Sequence, residues 1–333
     1  MNRAPLRVAL VGLGHIGRIY VEAVRRTPGL ELVAGHDLDP ELAEVLPEDV
    51  PFDRTLETTL ARDPDVVVVA TPNVTHAEVA RQALPHGGLV LLEKPAAVTR
   101  EALDGLLRTQ GAAERLRFAL HARYGREVIA ALEVVADRAL GTPTRFESHF
   151  EDPYLLADGS VRPEHAGLGD AWLDSGVNAL SVLARFVPLD RFEMLDANAD
   201  GRSADGRTVD AVARFAAVAA GKEPQPVEGS VATRWGDQAR KWTRLSWPDR
   251  TDMLLDHQRE QLHVTTPDGE ERLLELATPD DRLINHYLGL FGELAADPGR
   301  SMTGEMLGID AIHRLFFDVA DALSTPLEAE PSG

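Results

Sequence analysis

The sequence predicts an α/β domain with a doubly wound parallel sheet over residues 1–122, followed over 123–330 by an α+β domain with a mostly antiparallel sheet. Three observations carry that expectation. Short apolar runs alternate with helix-period segments through the first third of the chain, as in a parallel sheet with helices on both faces. A glycine-rich turn joins the first apolar run to the first helical segment. Beyond residue 122 the rhythm changes to longer strand-like runs broken by turn pairs, the pattern of an antiparallel sheet. At 333 residues the chain is long enough for two sizeable cores.

In the first domain, strands are expected at 6–11, 31–35, 65–70, 88–92 and 116–121. Helices are expected near 15–27, 40–46, 55–62, 75–86 and 99–114. The run Leu89–Leu92 is apolar throughout, as a central strand buried on both faces requires. In the second domain an amphipathic helix covers 127–138, a strand covers 143–151, and a loop rich in Gly, Pro and Asp covers 152–170. A helix follows from about Ala171 to Phe186. Between Phe192 and Glu275, Asp205-Gly206, Gly221-Lys222, Pro248-Asp249 and Pro267-Asp268-Gly269 divide the strands. Helices near 280–297 and 303–323 close the chain, and the tail from Glu328 is expected to fray.

Composition narrows the function classes. A net charge of −20 argues against nucleic acid, which basic surfaces bind. No apolar run approaches the length of a membrane span. The absence of cysteine removes disulfides, thiolate catalysis and thiolate metal sites, and the eleven histidines show no metal-ligand spacing. The first strand begins close behind Met1, leaving no room for a signal peptide, so a cytoplasmic protein without a metal is expected.

The apolar run Leu6–Val11 is followed at once by Gly12-Leu13-Gly14-His15-Ile16-Gly17 and then a helix. Strand, glycine loop and helix in that order form the context of a dinucleotide-binding fingerprint, a Rossmann domain. Gly12 makes the tight turn, Gly14 lets backbone approach a pyrophosphate, and Gly17 lets helix pack on strand. The second strand ends at His36-Asp37, and Asp37 lies twenty residues past Gly17, the spacing of the acid that binds the adenosine ribose. A carboxylate there suits a free ribose diol and repels a 2′-phosphate, so NAD is preferred. His36 could accept that phosphate, which keeps NADP as a second cofactor.

Lys94 is one of three lysines, with Lys222 and Lys241, in a chain that otherwise carries its positive charge on arginine. It stands where Leu89–Leu92 runs out into Glu93-Lys94-Pro95, and lysine, unlike arginine, can lose a proton. The segment Thr71-Pro72-Asn73-Val74-Thr75-His76 follows the third expected strand, with Thr75 as the expected helix cap. Both segments lie at the carboxyl edge of the parallel sheet, where open α/β sheets bind ligands.

With these residues the chain resembles the glucose–fructose oxidoreductase and inositol dehydrogenase (Gfo/Idh/MocA) family over essentially its full length. The resemblance implies that Gly12, Gly14, His15, Ile16, Gly17, Asp37, Thr71, Pro72, Asn73 and His76 line the cofactor, and that Glu93 contacts the nicotinamide ribose. Lys94 would reach both cofactor and substrate, and the bond to Pro95 would be cis. In the second domain the matching run is Leu173-Asp174-Ser175-Gly176-Val177-Asn178, where Asp174, Asn178 and Ser181 share one helix face. The resemblance turns that face across the domain cleft towards Lys94. Read without it, the face would be a solvated polar stripe.

Most of the family has histidine where this chain has Asn178, and asparagine holds a hydroxyl but cannot take its proton. The Asp174…Asn178 form resembles the branch of L-arabinose and D-galactose 1-dehydrogenases, as do His121 and Glu151. In that branch these two would bond sugar hydroxyls; either could instead be a structural capping group. The resemblance implies an aldose oxidised at C1 to its lactone, with Lys94, Asp174 and Asn178 as the catalytic set. Which of Lys94 and Asp174 is the base stays open. Two other readings stand beside it: an inositol or secondary-alcohol dehydrogenase, and a sugar sensor that binds dinucleotide without catalysis. The partners expected are a small sugar and further copies of the chain, as a dimer or larger homo-oligomer.

Overall fold

The computed structural model describes residues 4–217, 227–298 and 302–324, with side chains of the last helix from 311 onward. The expected turn at Gly221-Lys222 and the tail from Glu328 lie outside the described residues. The chain forms two compact units, Met1–Arg126 with Ala277–Met306 and Glu127–Leu276 with Leu307–Gly333. It therefore passes between units at 126/127, 276/277 and 306/307, where the sequence expectation had a single passage at 122/123.

In chain order the first unit holds β1 (Leu6–Val11), α1 (His15–Arg26), β2 (Leu30–His36), β3 (Phe52–Asp53), α2 (Leu56–Leu60), β4 (Val66–Val69) and α3 (His76–Ala83). Next come β5 (Leu89–Glu93), α4 (Arg100–Leu107), α5 (Ala112–Arg115) and β6 (Leu116–Ala119). The expected helix at 40–46 is a 3-10 turn over Pro40–Val45, begun by Pro40 and capped by Asp39. The two-residue β3 had no signal in the sequence, because so short an edge strand has no periodicity.

The six strands form one parallel sheet in the order β3-β2-β1-β4-β5-β6, the doubly wound dinucleotide-binding order. Its reversal point lies between β1 and β4, and β4 and β5 are four-valine and Leu-rich strands buried on both faces. Above one face, Tyr20 and Val24 of α1 pack in a core that also takes Tyr287 and Phe291 of a late helix, Arg282–Ala296. Burying the tyrosine and phenylalanine of that segment is what returns the chain to the first unit.

The second unit begins with α6 (Arg126–Arg138), β7 (Arg145–Asp152) and α7 (Ala171–Leu183). It continues with β8 (Phe192–Arg202), β9 (Thr208–Ala217), β10 (Glu228–Trp235), β11 (Arg240–Ser246), β12 (Asp252–Asp256), β13 (Gln261–Thr265) and β14 (Glu271–Glu275). The Arg282–Ala296 helix is α8, and α9 (Met302–Ser324) follows. Among the described residues the strands form an eight-stranded sheet ordered β14-β13-β12-β11-β7-β10-β9-β8, antiparallel except for the parallel pair β7–β10. One face, with Phe146, Phe150, Val231, Trp235 and Leu245, is buried. A hydrogen-bonded chain on that face joins Glu127 of α6 to His257 (2.7 Å), His257 to Thr243 (2.9 Å) and Thr243 to Ser148 (2.9 Å). Among the described residues no helix is long and apolar enough to cross a membrane.

Candidate functional site

In the first unit, three loops gather at the carboxyl edge of the sheet. The first is the turn after β1. Gly12 has φ +99°, and a Cβ there would lie 2.4 Å from Ala70 O, so only glycine fits. A Cβ on Gly17 would lie 2.4 Å from Gly12 O, which is why helix and turn can approach. Gly14 faces open space: nothing lies within 4 Å of its would-be Cβ. It is also the N-cap of α1 and has no side chain to bond the first N–H groups of the helix. A glycine cradle opening on an uncapped helix N-terminus fits a pyrophosphate. The half-buried Ile16 packs against the core, and His15 is exposed.

Asp37 closes this loop from the end of β2. Its Oδ2 accepts from Leu13 N at 2.8 Å and its Oδ1 from Asp39 N at 3.0 Å, so the carboxylate is held beside the glycine turn. Each oxygen keeps a lone pair for a ribose hydroxyl. His36 does not take the part considered for it. It is buried, and its Nδ1 lies 2.9 Å from Asp53 O.

The second loop follows β4. Thr75 occupies the cap position of α3, but its hydroxyl donates to Pro72 O (2.7 Å), lies 2.9 Å from Thr71 Oγ1, from which it can accept, and does not cap the helix. Pro72 is exposed and Asn73 half-buried, whereas His76 is 0% exposed.

The third loop follows β5. Glu93 is only 5% exposed, and its carboxylate accepts from Tyr20 Oη (2.9 Å) and Tyr287 Oη (3.1 Å). Burial pushes its pKa up to about 7, against the opposing pull of the Lys94 charge and the two tyrosine hydroxyls. Both of its oxygens are thus engaged by tyrosines that sequence reasoning missed, because they come from α1 and from α8, nearly two hundred residues away. Lys94 is half-buried, and its bond to Pro95 is cis. His121 is buried just past β6, tilted against Tyr287 (5.0 Å between ring centres) and stacked on His286, with Nδ1 3.3 Å from His286 Nδ1. One of these two nitrogens must donate and the other accept, which couples the tautomers of the pair.

In the second unit, α7 starts at Asp170, whose carboxylate accepts from Leu173 N at 2.8 Å. Asp170 is the cap that the sequence reading left inside a loop. The helix is buried on nearly every side, so the polar face is no solvated stripe: Asp174 is 5% and Asn178 7% exposed. Ser181 turns its hydroxyl back to Asn178 O at 2.7 Å. Asn178 Oδ1 is buried and, among the described residues, accepts no hydrogen bond.

Strand alternation separates Glu151 from Asp152. Asp152 lies on the buried face with Ser148 and Phe150, where its Oδ2 accepts from Ser175 of α7 at 3.1 Å and its Oδ1 pairs with Lys241 at 2.6 Å. Glu151 points to the opposite face, towards His149 (3.4 Å) and Arg234 (3.7 Å). Asp152 and Lys241 are therefore the polar neighbours of α7. The signals that could have found them are the two-residue period of β7 and the scarcity of lysine. Among the described residues no cluster of three or more His, Asp or Glu is arranged to hold a metal ion.

Residues 6–119 match the model of an oxidoreductase family with an NAD-binding Rossmann fold. A putative UDP-kanosamine synthase oxidoreductase subunit from Amycolatopsis mediterranei is 33% identical over 126 residues, 37% of this chain and 35% of that protein. An inositol 2-dehydrogenase from Rubrobacter xylanophilus is 30% identical over 148 residues, 42% of each chain. These matches thus span well under half the length of the curated relatives. Among solved structures, the UDP-N-acetylglucosamine 3-dehydrogenase GnnA of Acidithiobacillus ferrooxidans superposes with a TM-score of 0.76 at 20% identity, covering 96% of this chain and 98% of its own. That likeness establishes a shared two-domain fold.

Proposed function

We propose that this chain, whose residues 6–119 match the NAD-binding Rossmann domain of the Gfo/Idh/MocA oxidoreductase family, is an NAD-dependent dehydrogenase of a sugar, oxidising a cyclic aldose at C1 to the lactone. The observation that carries the sugar reading is the buried Oδ1 of Asn178. It has no donor among the described residues and lies one helical turn from the buried carboxylate of Asp174. An acceptor left open in a buried site suits a hydroxyl-bearing ligand.

When bound, NAD supplies the hydride acceptor; Gly12, Gly14, Gly17 and the start of α1 would hold its pyrophosphate and Asp37 its ribose. The work left to the protein is to orient the sugar and remove the proton of the reacting hydroxyl. Asn178 orients the sugar through its open carbonyl, accepting from a hydroxyl other than the reacting one, whose single proton must go to the base. Lys94 accepts the proton, which requires its pKa to fall from about 10.4 towards ~7–8. The Lys94 charge attracts the Glu93 carboxylate and opposes the burial that pushes the Glu93 pKa up to about 7. Asp174 either orients Lys94 or is the base itself. NAD is favoured over NADP because Asp37 is a fixed carboxylate and His36 is committed to Asp53 O.

A second reading moves the reaction to a secondary alcohol of the ring, and the names of relatives favour it: inositol 2-dehydrogenase and UDP-N-acetylglucosamine 3-dehydrogenase. The deciding experiment follows nicotinamide reduction with NAD and NADP against a panel of free aldoses, inositols and nucleotide sugars, with product analysis. Lactone from L-arabinose, D-galactose or a close aldose supports C1 chemistry. A ring ketone from inositols or nucleotide sugars moves the reaction to the secondary carbon. Dinucleotide binding without turnover of any sugar supports a sensor. The expected homo-oligomer is checked by sedimentation velocity.

A further inference from the structure

Glu93 ends β5 at the carboxyl edge of the parallel sheet and is buried. Its two carboxylate oxygens are bonded by Tyr20 Oη of α1 (2.9 Å) and Tyr287 Oη of α8 (3.1 Å). Burial and then the Glu93 charge hold both phenols well above their ordinary pKa, so these partners stay neutral. A phenol can donate or accept. With Glu93 ionised, both hydroxyls donate to it. With Glu93 neutral, its own proton goes to one phenol oxygen and that bond reverses. The tyrosine pair therefore accommodates either state, whereas an arginine fork would hold the carboxylate ionised. Burial raises the Glu93 pKa to about 7, opposed first by the Lys94 charge and then by the two hydroxyls. The groups facing it are thus Tyr20 from α1, Tyr287 from α8 and Lys94 from its own loop, with His121 behind Tyr287.

The strand order puts this carboxyl on a definite side of the sheet. In the sequence β2-β1-β4-β5, Asp37 follows β2 and the glycine turn follows β1. A dinucleotide lies across the reversal point between β1 and β4, with its halves on opposite sides. Asp37 and the glycine turn take the adenosine half, so the nicotinamide half runs to the side of β4 and β5, where Glu93 stands. The oxidised nicotinamide ring is a cation and the reduced ring is neutral.

We propose that Glu93 discriminates the oxidation state of the cofactor: its carboxylate favours the cationic ring of NAD over the neutral ring of NADH, and NAD binding drives the carboxyl proton into solvent. The inference rests on the NAD reading above and not on the choice of sugar. It requires no contact between ring and carboxylate, because a charge acts over several ångströms in a site of low dielectric. Its consequence is that rising pH strengthens NAD binding relative to NADH, which favours the direction of sugar oxidation.

Calorimetry of NAD binding to the full chain, run at pH 7 in buffers of different ionisation enthalpy, counts the protons released. Before binding, Glu93 is about half protonated at that pH. A tenfold preference of NAD for the ionised carboxyl corresponds to about 0.4 proton released per NAD at pH 7, and to a Kd that falls about eightfold from pH 5 to pH 8. ADP-ribose meets the same glycine turn and Asp37 but lacks the ring, so its profile subtracts any group that titrates there. NAD should exceed ADP-ribose by that fraction of a proton, and NADH should not. Glu93→Gln keeps the shape of the side chain and should abolish the excess, with folding checked by thermal melts.

Equal release with NAD and ADP-ribose, or an excess that persists in folded Glu93→Gln, overturns the proposal and leaves the NAD reading intact. An equal excess with NADH overturns it as well. These ligand comparisons use the unaltered protein and so hold even if the variant fails to fold. Binding of none of the three ligands overturns both the proposal and the NAD reading.

Discussion

Glu93 is a carboxyl group whose surroundings oppose its charge. It is buried and bonded by the hydroxyls of Tyr20 and Tyr287, whose tilted rings have centres 4.6 Å apart, and burial pushes its pKa up to about 7 from 4.5. A carboxyl with a raised folded-state pKa binds more protons folded than unfolded, so its contribution to stability is complete below pH 4.5 and is lost as pH climbs towards 7. The loss across that window amounts to about 3 kcal/mol. Glu93→Gln should flatten that slope in urea unfolding measured from pH 4 to 8; an unchanged slope would mean that another group carries it. At Lys94, alanine should lower turnover by orders of magnitude while the Kd for NAD moves only a few-fold, which calorimetry checks. Loss of NAD affinity alone would move Lys94 from the chemistry to cofactor binding. Asp37→Ser should raise kcat/KM with NADP relative to NAD, since it removes a carboxylate facing the ribose. It should also weaken both cofactors, because Leu13 N loses its acceptor.

Among the elements, β7 and α7 decide the chemistry of the second unit. Alternation along β7 puts Asp152 against Ser175 and leaves Glu151 on the outer face, so the strand's register selects which acid stands by α7. Asp152 and Lys241 are both nearly buried, with side chains 9% and 11% exposed. Removing one partner of such a pair leaves the other charge buried alone, at a cost of about 3–5 kcal/mol. Asp152→Asn should lower the urea midpoint accordingly, whereas Glu151→Gln should lower it less: Glu151 is also buried, but its partners His149 and Arg234 stand 3.4 and 3.7 Å away, against 2.6 Å between Asp152 and Lys241. Equal effects from the two substitutions would contradict the alternation argument.

For the whole molecule, the dominant long-range term is a net charge of −20. Self-repulsion of that size opposes the compact state and is screened by salt. The melting temperature should therefore rise by several degrees between about 10 mM and about 0.5 M NaCl, which differential scanning calorimetry measures. A fall would mean that surface pairs such as Arg26–Asp280 and Arg81–Glu78 outweigh the net repulsion.

Period and punctuation in the sequence determined the alternating strands and helices, the glycine turn, the helices at 127–138 and 171–186, and the turns at Asp205-Gly206 and Pro267-Asp268-Gly269. All of these express local preferences that a short window contains. The glycine loop with Asp37 was legible for the same reason, since backbone close to a phosphate leaves glycine no substitute. Contacts between distant parts of the chain were not legible. Tyr287 reaches Glu93 from 194 positions away, α8 returns to the first unit to bury its aromatic face, and Lys241 meets Asp152 across a strand pair. Those contacts decide which polar groups are already satisfied. The tertiary structure thus gave His36 and His76 to backbone carbonyls, gave Glu93 to two tyrosines, and left Asn178 Oδ1 open among the described residues. A residue's type announces what it can donate or accept, whereas burial and the arrival of a distant partner determine whether that capacity is still available to a ligand.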